Sequence, residues 1–533
     1  MSGIEQSQRA NTKADCTKTY VTFNVTSTSQ EVTITYFSEP VSGRTYTTTY
    51  FFINALEIDE VNEEMQAQDP YPDDLDYHVD ADNGNVTMSW TAAPGATAHR
   101  VYFGDSEDQV SDNTNYDVET TSTTFSRGGL NPMQTYYWRV DEVIDGQVYK
   151  GEVWSFRPRR LAFPGAEGAG KYAIGGRGGD VYHVTNLNDS GEGSLRYGIE
   201  NATGPRTIVF DVSGAIQLQS RLVCNKPYIT IAGQTAPGIG IMLRDYEFGA
   251  NSDDGITRFM RFRYGHGDDW NGTSANQNTG NAGGLSANYG IMDHCLLGWG
   301  SDETFSTRGA KNVTFQHSLI GESLNQNGHK NYWDENHSVQ HGFAATVGGN
   351  VASLHHNLLA HNEGRNWSLG GGLDGTNHFA GRMNIYNNVV YNWGGRATDG
   401  GAHQVNFVGN YDKKGPSTSQ DTIFIANHED NYAGTQEYYL NGNLRVSQDG
   451  NTKKSDTLGD TYDQTISDGI TVNWQTFVSS PYSDFYGLDE SNVESAEAAF
   501  KNVLSDVGCN YQELDNNEKR LIQESRDGTY TKT

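Results

Sequence analysis

The sequence predicts an all-β protein: a stack of parallel strands behind antiparallel β-sandwich sequence, finished by helices. Three observations predict it. Glycine is frequent, at 61 of 533 residues, while proline stands at 12, a composition suited to many short strands and tight turns. Upstream of residue 158, apolar and polar side chains alternate in short runs separated by turn residues, the pattern of half-buried antiparallel strands. Further along, a short frame returns instead. "DHCLL", "QHSLI", "HHNLL", "YNNVV" and "VGNYD" align, with Cys295, Ser318, Asn357, Asn388 and Asn410 in the third place. The intervals of 23, 39, 31 and 22 residues suit a solenoid that repeats a strand each turn and carries insertions of variable length.

Residues 1–62 hold "YVTFNVTS", "EVTITYF" and "TYFFINALEI", a partial β-sandwich that resembles the end of a galactose-binding-like module. Residues 63–82 are acidic and aperiodic and read as a linker. Residues 83–158 hold "NVTMSW", "HRVYFG", "TTFS", "TYYWRVDEV" and "GEVWSF", with Trp90 and Trp138 on inward positions. This unit resembles a fibronectin type III domain, a module that usually serves as a spacer. Residues 161–485 form the coil, opened by a glycine-clustered segment and by "GSLRYGIE", a short helix with Ser194 as its N-cap. Strands stacked in parallel bring equivalent residues together, so Asn357, Asn388 and Asn410 are read as a buried amide ladder rather than as ligands. Residues 486–533 form a helical tail that packs on the coil. One helix carries Ser491 and Glu494 as a capping box, the next Asp515 and Glu518.

The formal net charge is −30, from 67 Asp and Glu against 37 Lys and Arg. Such a chain repels nucleic acid and anionic membrane, and also an acidic polymer unless cations mediate. Cys16, Cys224, Cys295 and Cys509 have no CxxC spacing, so neither a disulfide framework nor a zinc site is expected; Cys295 reads as a small buried apolar residue. No run of 18 apolar residues occurs, which excludes a membrane-spanning helix. "MSGIEQSQRANTKAD" lacks an apolar core, so no signal peptide is expected there.

In a solenoid the long insertions mark the binding face. "GESLNQNGHKNYWDENHSV" and "NEGRNWSLGGGLDGTNHFAG" are rich in Asn, Gly, Trp and His, which suits carbohydrate: amides meet hydroxyls and aromatic rings meet sugar faces. Trp333, Trp367 and Trp393 are the stacking candidates, each weighed against a packing role. The acidic candidates for a hard cation are Asp268, Asp269, Asp293, Asp302 and Glu303. Asp293 and His294 can equally hold a turn by hydrogen bonding.

"PGAEGAGKYAIGGRGGDVYHVTNLNDSGEGSLR", "IMDHCLLGWGSDE" and "HHNLLAHNEGRN" together resemble polysaccharide lyase family one, the pectate lyases. "ESAEAAFKNVLSDVG" with "DNNEKRLIQESRDGTY" resembles the tail of its Bacteroidetes-type branch, so the likeness spans about residues 161–533. The resemblance implies a right-handed parallel β-helix that cleaves polygalacturonate, or a related uronate polysaccharide, by β-elimination with calcium. It implies that the base is the arginine eight residues after the strand's asparagine; Asn357 plus eight is Arg365. It places the cation at Asp302, with Glu303, Asp268 and Asp269 as further ligands. It assigns substrate contacts to His341 or Lys330 where the family has a lysine, to Arg382 or Arg396 where it has a second arginine, and to Trp367. The family's acids before the "DH" strand are missing from "NAGGLSANYG", and Ser306 stands where another acid is expected. The expected setting is a secreted, cell-surface or periplasmic bacterial protein, monomeric, acting on acidic plant or algal polysaccharide. Two other classes stay open: a β-helix glycoside hydrolase using Asp293 and Asp302, and a non-catalytic polysaccharide-binding protein.

Overall fold

The computed structural model describes residues 63–531 apart from 113, 266–278, 330–339, 371–379, 429–433, 456–459, 467–474, 479, 483–487 and 489–491. The partial sandwich of residues 1–62, with Cys16, therefore lies outside the described residues. So do Asp268, Asp269, Lys330, Trp333 and Ser491. The chain divides into two compact units between Arg160 and Leu161.

In the first unit two sheets share one core. Gln68–Tyr71, Asn85–Thr91 and Thr124–Gly128 form a three-stranded antiparallel sheet. Asp76–Val79, Val153–Pro158, Tyr136–Ile144, Ala96–Gly104 and Val118–Thr120 form the second, with Gln147–Tyr149 beside Tyr136–Ile144. Along Asn85–Thr91 the side chains alternate between exposed and buried, the period-two pattern of a strand with one face on the core. Met88, Trp90, Trp138, Val140 and Phe156 fill the space between the sheets.

The second unit is a parallel β-helix. Its described strands fall into three sheets of eleven, ten and nine strands. The first runs from Asp180–Val184 to Gln475–Val478, the second from Gly214–Gln217 to Lys453–Ser455, and the third from Leu222–Cys224 to Tyr462–Ile466. Each strand pairs in parallel with its equivalent in the next coil, except that Lys453–Ser455 closes the second sheet antiparallel. Leu243, Phe262, Leu297, Phe315, Leu354 and Ile385 stack inside the coil.

The aligned frame is the corner between the first and second sheets. Its second residue takes a left-handed backbone at His294, His317, His356 and Asn387, with φ of 52°, 48°, 54° and 51°. Its third residue points inward and receives the backbone N–H of the coil before. Cys295 N donates to Ser318 Oγ at 2.9 Å, Ser318 N to Asn357 Oδ1 at 2.9 Å, and Asn357 N to Asn388 Oδ1 at 3.1 Å. Asn388 N donates to Asn410 Oδ1 at 2.9 Å, and Asn410 N to Asn443 Oδ1 at 2.9 Å. The corner amides cannot pair within a sheet, so the ladder satisfies them in the dry interior. Asn443 is a further rung, whose "NGNL" fits the same frame.

The glycine-rich stretch after Leu161 covers the outer face of the first sheet. Ala169 N donates to Ser353 Oγ at 3.0 Å, Gly170 N to Thr314 Oγ1 at 2.9 Å and Gly176 N to Thr230 Oγ1 at 2.9 Å. A Cβ on Gly170 would sit 2.2 Å from the Gly290 carbonyl oxygen, so this close approach admits only glycine. The helix Leu195–Glu200 follows, with the Ser194 side chain accepting from Tyr197 N at 3.2 Å. Helices Ala496–Asp506 and Asn516–Asp527 cover the outer face of the second sheet: Ala496, Val503, Leu504, Leu521 and Ile522 pack on Leu296, Leu319, Leu358 and Tyr391. The first of them is capped by Ser495, which accepts from Ala498 N, and not by the expected Ser491. Glu494 instead donates its backbone N–H to Asn387 Oδ1 at 2.9 Å. Asp515 and Glu518 do form a reciprocal capping box.

Candidate active site

The site is built from one position repeated in successive coils: the loop that carries the chain from the second sheet into the third. Glu303 begins the strand Glu303–Ser306 and lies beside Phe343 of the next coil. Gly364 bridges to Phe343, and Ala345 N donates to the Arg365 carbonyl at 2.9 Å. Parallel stacking thus brings residues 62 apart in sequence, Glu303 and Arg365, side by side. Arg365 takes a left-handed φ of 55°, a conformation that costs a non-glycine residue roughly 1–2 kcal/mol.

The Arg365 guanidinium is ion-paired with Glu303 through Nη1 and Oε1. Its carbon lies 4.2 Å from the centre of the Phe343 ring. The same Glu303 oxygen accepts from Thr346 Oγ1 at 2.8 Å. The Arg396 guanidinium carbon lies 5.1 Å from the same ring, and Arg396 pairs with Asp399 at 2.6 Å. The Arg365 side chain is 25% exposed and that of Glu303 11%, so the cation reaches solvent while its anchor is nearly dry.

Asp302, next to Glu303, accepts from His341 Nε2 at 2.7 Å. Burial pushes its carboxyl up, but His329 and His341 outweigh that and hold it well below the usual carboxylate range. The neighbouring Glu363 is raised by burial and accepts from Asn325 Nδ2 at 3.3 Å.

The structure thus brings together Arg365, Glu303, Asp302, His341 and Arg396. Four assignments are corrected. Trp367 is not a stacking platform: it is fully buried, edge-on to Phe315, because the turn before the strand Ser368–Gly370 places it in the core of the coil, and Trp393 is fully buried too. Arg382 belongs to the first sheet and donates to Asn350 Oδ1 at 2.5 Å, away from the loops that carry Arg365. Glu303 is not poised as a metal ligand, since Arg365 and Thr346 engage its carboxylate. A hydrolase pair of Asp293 and Asp302 fails as well. Asp293 is fully buried and bound by Arg258 at 2.7 Å and Gln316 Nε2 at 2.7 Å. His329 and Phe343 were not identified from the sequence. His329 belongs to a loop of irregular length, whereas Phe343 opens the third-sheet strand Phe343–Val347, opposite Glu303.

The fold and this cluster define a parallel β-helix with a polar, arginine-bearing loop face. No family model matches the chain. It is 41% identical over 292 residues to the probable pectate lyase C of Aspergillus flavus, covering 53% of this chain and 61% of that protein. It is 42% identical over 316 residues to the probable pectate lyase C of Emericella nidulans (57% and 66%). It is 45% identical over 267 residues to that of Neosartorya fischeri (49% and 56%). The chain thus spans about three fifths of the length of the curated relatives it matches, and these are fungal. Among solved structures it is similar to jun a 1, the major allergen from cedar pollen, with a TM-score of 0.44 and 16% identity over 64% of this chain and 92% of that one. It is also similar to the thermostable pectate lyase PL 47, with a TM-score of 0.41 and 12% identity over 66% and 99%.

Proposed function

We propose that the chain is a pectate lyase, cleaving polygalacturonate or a related uronate polysaccharide by β-elimination. The observation that carries this reading is Arg365, eight residues beyond the ladder residue Asn357, held by Glu303 and Phe343 while its side chain stays part-exposed. Identity of 41–45% to the three probable pectate lyase C proteins supports it.

The proton to be removed sits on C5, alpha to the uronate carboxylate. As it leaves, its electron pair forms the C4–C5 double bond, the C4–O bond breaks, and the departing oxygen takes a proton from water. Arg365 takes the C5 proton as a neutral guanidine: the substrate carboxylate displaces Glu303, the guanidinium gives one proton to solvent, and the freed nitrogen lone pair accepts the proton from C5. Arg396, on the same Phe343 ring, supplies positive charge to the carboxylate where negative charge develops. Calcium, which the resemblance implies, takes about six to eight oxygen ligands. Here Glu303 is engaged by Arg365, and Asp302 faces two imidazoles. Glu303 and Asp302 as placed therefore do not fit that ion, and Asp268 and Asp269 lie outside the described residues.

A uronate polysaccharide is met outside the cytoplasm, so the protein is read as secreted, cell-surface or periplasmic. No helix among the described residues is long and apolar enough to cross a membrane. The sandwich is read as a fibronectin type III-like spacer; it is wider than residues 83–158, since Gln68–Tyr71 and Asp76–Val79, in the stretch 63–82 expected to be a linker, pair with Asn85–Thr91 and Val153–Pro158. Incubation with polygalacturonate tests the activity. A lyase releases reducing ends together with the ultraviolet absorbance of an unsaturated sugar. Reducing ends alone would mean a hydrolase, and neither signal a binding protein.

A further inference from the structure

Beside the Arg365 cluster the same loops gather a second one. Asp302, His329 and His341 bring one carboxylate oxygen and two imidazole nitrogens within 4.8 Å of one another. His341 Nε2 is 2.7 Å from Asp302 Oδ1, and His329 Nε2 is 3.6 Å from Asp302 Oδ2. Both imidazoles are buried, whereas the Asp302 side chain is 38% exposed. The set is therefore closed on the protein side and open on the other.

Ring geometry separates this cluster from the stacked histidines His294, His317 and His356 at the corner. The rings of His294 and His317 are parallel to within 7°, and those of His317 and His356 to within 18°. An imidazole lone pair lies in the ring plane, so lone pairs in stacked parallel planes cannot meet at one point. The His329 and His341 rings are tilted by 36° with centroids 4.6 Å apart, and both Nε2 atoms face one carboxylate. Planes inclined in this way let in-plane lone pairs meet at one point, and the donor atoms lie within 4.8 Å of one another. An ion held through two neutral imidazole nitrogens and one carboxylate oxygen meets one full negative charge.

We propose that Asp302, His329 and His341 bind a divalent ion of the zinc and cobalt class, through two imidazole nitrogens and one carboxylate oxygen. Mixed nitrogen and oxygen donors with an open position suit borderline transition ions, whereas calcium takes oxygen alone. The cysteine spacing gives no zinc signal because no thiolate takes part. The site stands independently of the lyase reading, since occupancy is read directly.

The test is cobalt titration of the full chain after dialysis against a chelator. The expected result is one equivalent bound with the visible absorption of nitrogen-ligated cobalt, displaced by zinc and not by excess calcium. Asp302→Asn, which keeps the side chain's shape at a part-exposed position, should weaken binding by more than the about 10–100-fold typical of changes around a metal's ligands. The His329→Ala, His341→Ala double variant should abolish the band. Arg365→Ala should leave cobalt uptake unchanged, so loss of lyase activity and loss of metal are read separately. The proposal is overturned by a wild-type protein without the band, by displacement with calcium, or by a band that survives the double variant. The last would put the ion elsewhere, for instance among His317, His355 and His356.

Discussion

Arg365 depends on its neighbours for everything except its charge. Glu303 fixes one end of the guanidinium and Phe343 its face. If it takes the C5 proton, its loss falls on the transition state rather than on binding. Arg365→Ala is expected to lower turnover on polygalacturonate by more than about a hundredfold, the lower range for acid–base catalysis, with a much smaller change in KM. Arg365→Lys keeps the charge but not the planar fork, so it should not restore turnover. A variant that turns over normally at saturating polymer would take Arg365 out of the mechanism. Asn388 shows the same dependence in the core. It accepts from Asn357 and donates to Asn410 Oδ1 at 3.0 Å and to the Leu354 carbonyl at 2.9 Å. Asn388→Ala strands several buried partners at once, each worth about 1–3 kcal/mol when left unpaired. Urea unfolding should show a loss of at least about 2 kcal/mol, and a loss below half that would mean water replaces the rung.

At the scale of elements, the tail helix Ala496–Asp506 is tied to the corner by charge as well as by packing. His294 Nε2 lies 3.5 Å from Asp506 Oδ1. Burial lowers His294, but hydrogen bonds to Asp293 and Asp506 outweigh it and raise the imidazole to about 9. Two coils on, burial and the neighbouring His317 lower His356 to about 4. An unfolded histidine titrates near 6.5. The His294 contribution is therefore full below about 6.5 and is lost as pH rises through 9. The His356 contribution is full above about 6.5 and is lost as pH falls through 4. Their sum peaks near pH 6.5. Melting temperature measured against pH should show the alkaline limb flattened in His294→Gln and the acid limb flattened in His356→Gln. Unchanged limbs would mean that these imidazoles do not titrate as their surroundings require.

At the scale of the molecule, the β-helix and the sandwich each close their own core, and the chain divides between Arg160 and Leu161. Residues 161–533 expressed alone should fold and keep whatever activity the full chain shows on polygalacturonate. The checks are a single cooperative unfolding transition and an unchanged rate. Loss of cooperativity would mean that the coil needs the upstream residues. The −30 charge also opposes an acidic polymer, which makes the local cations Arg365 and Arg396 more consequential than their number suggests.

What the sequence determined by itself was whatever parallel stacking repeats. A coil that returns to the same corner demands the same residue type there, so Ser318, Asn357, Asn388 and Asn410 could be aligned across unequal insertions, whereas Arg365, eight residues after Asn357, was picked out only by the resemblance to the pectate lyases. The capping box at Asp515 and Glu518 and the cap at Ser194 were legible because a helix end is satisfied within a few residues. The cap at Ser495 was missed because "SNVESAE" offers two serines, and packing against Asn387 chose between them. Only the tertiary structure decided that Trp367 and Trp393 are core, that Arg382 lies on another sheet, and that Glu303 serves Arg365. It alone joined His329 and His341 to Asp302. Those contacts link residues 27, 39 and 62 apart, across loops whose lengths follow no period. Their sequence spacing carries no signal; the stacking of one coil on the next brings them together.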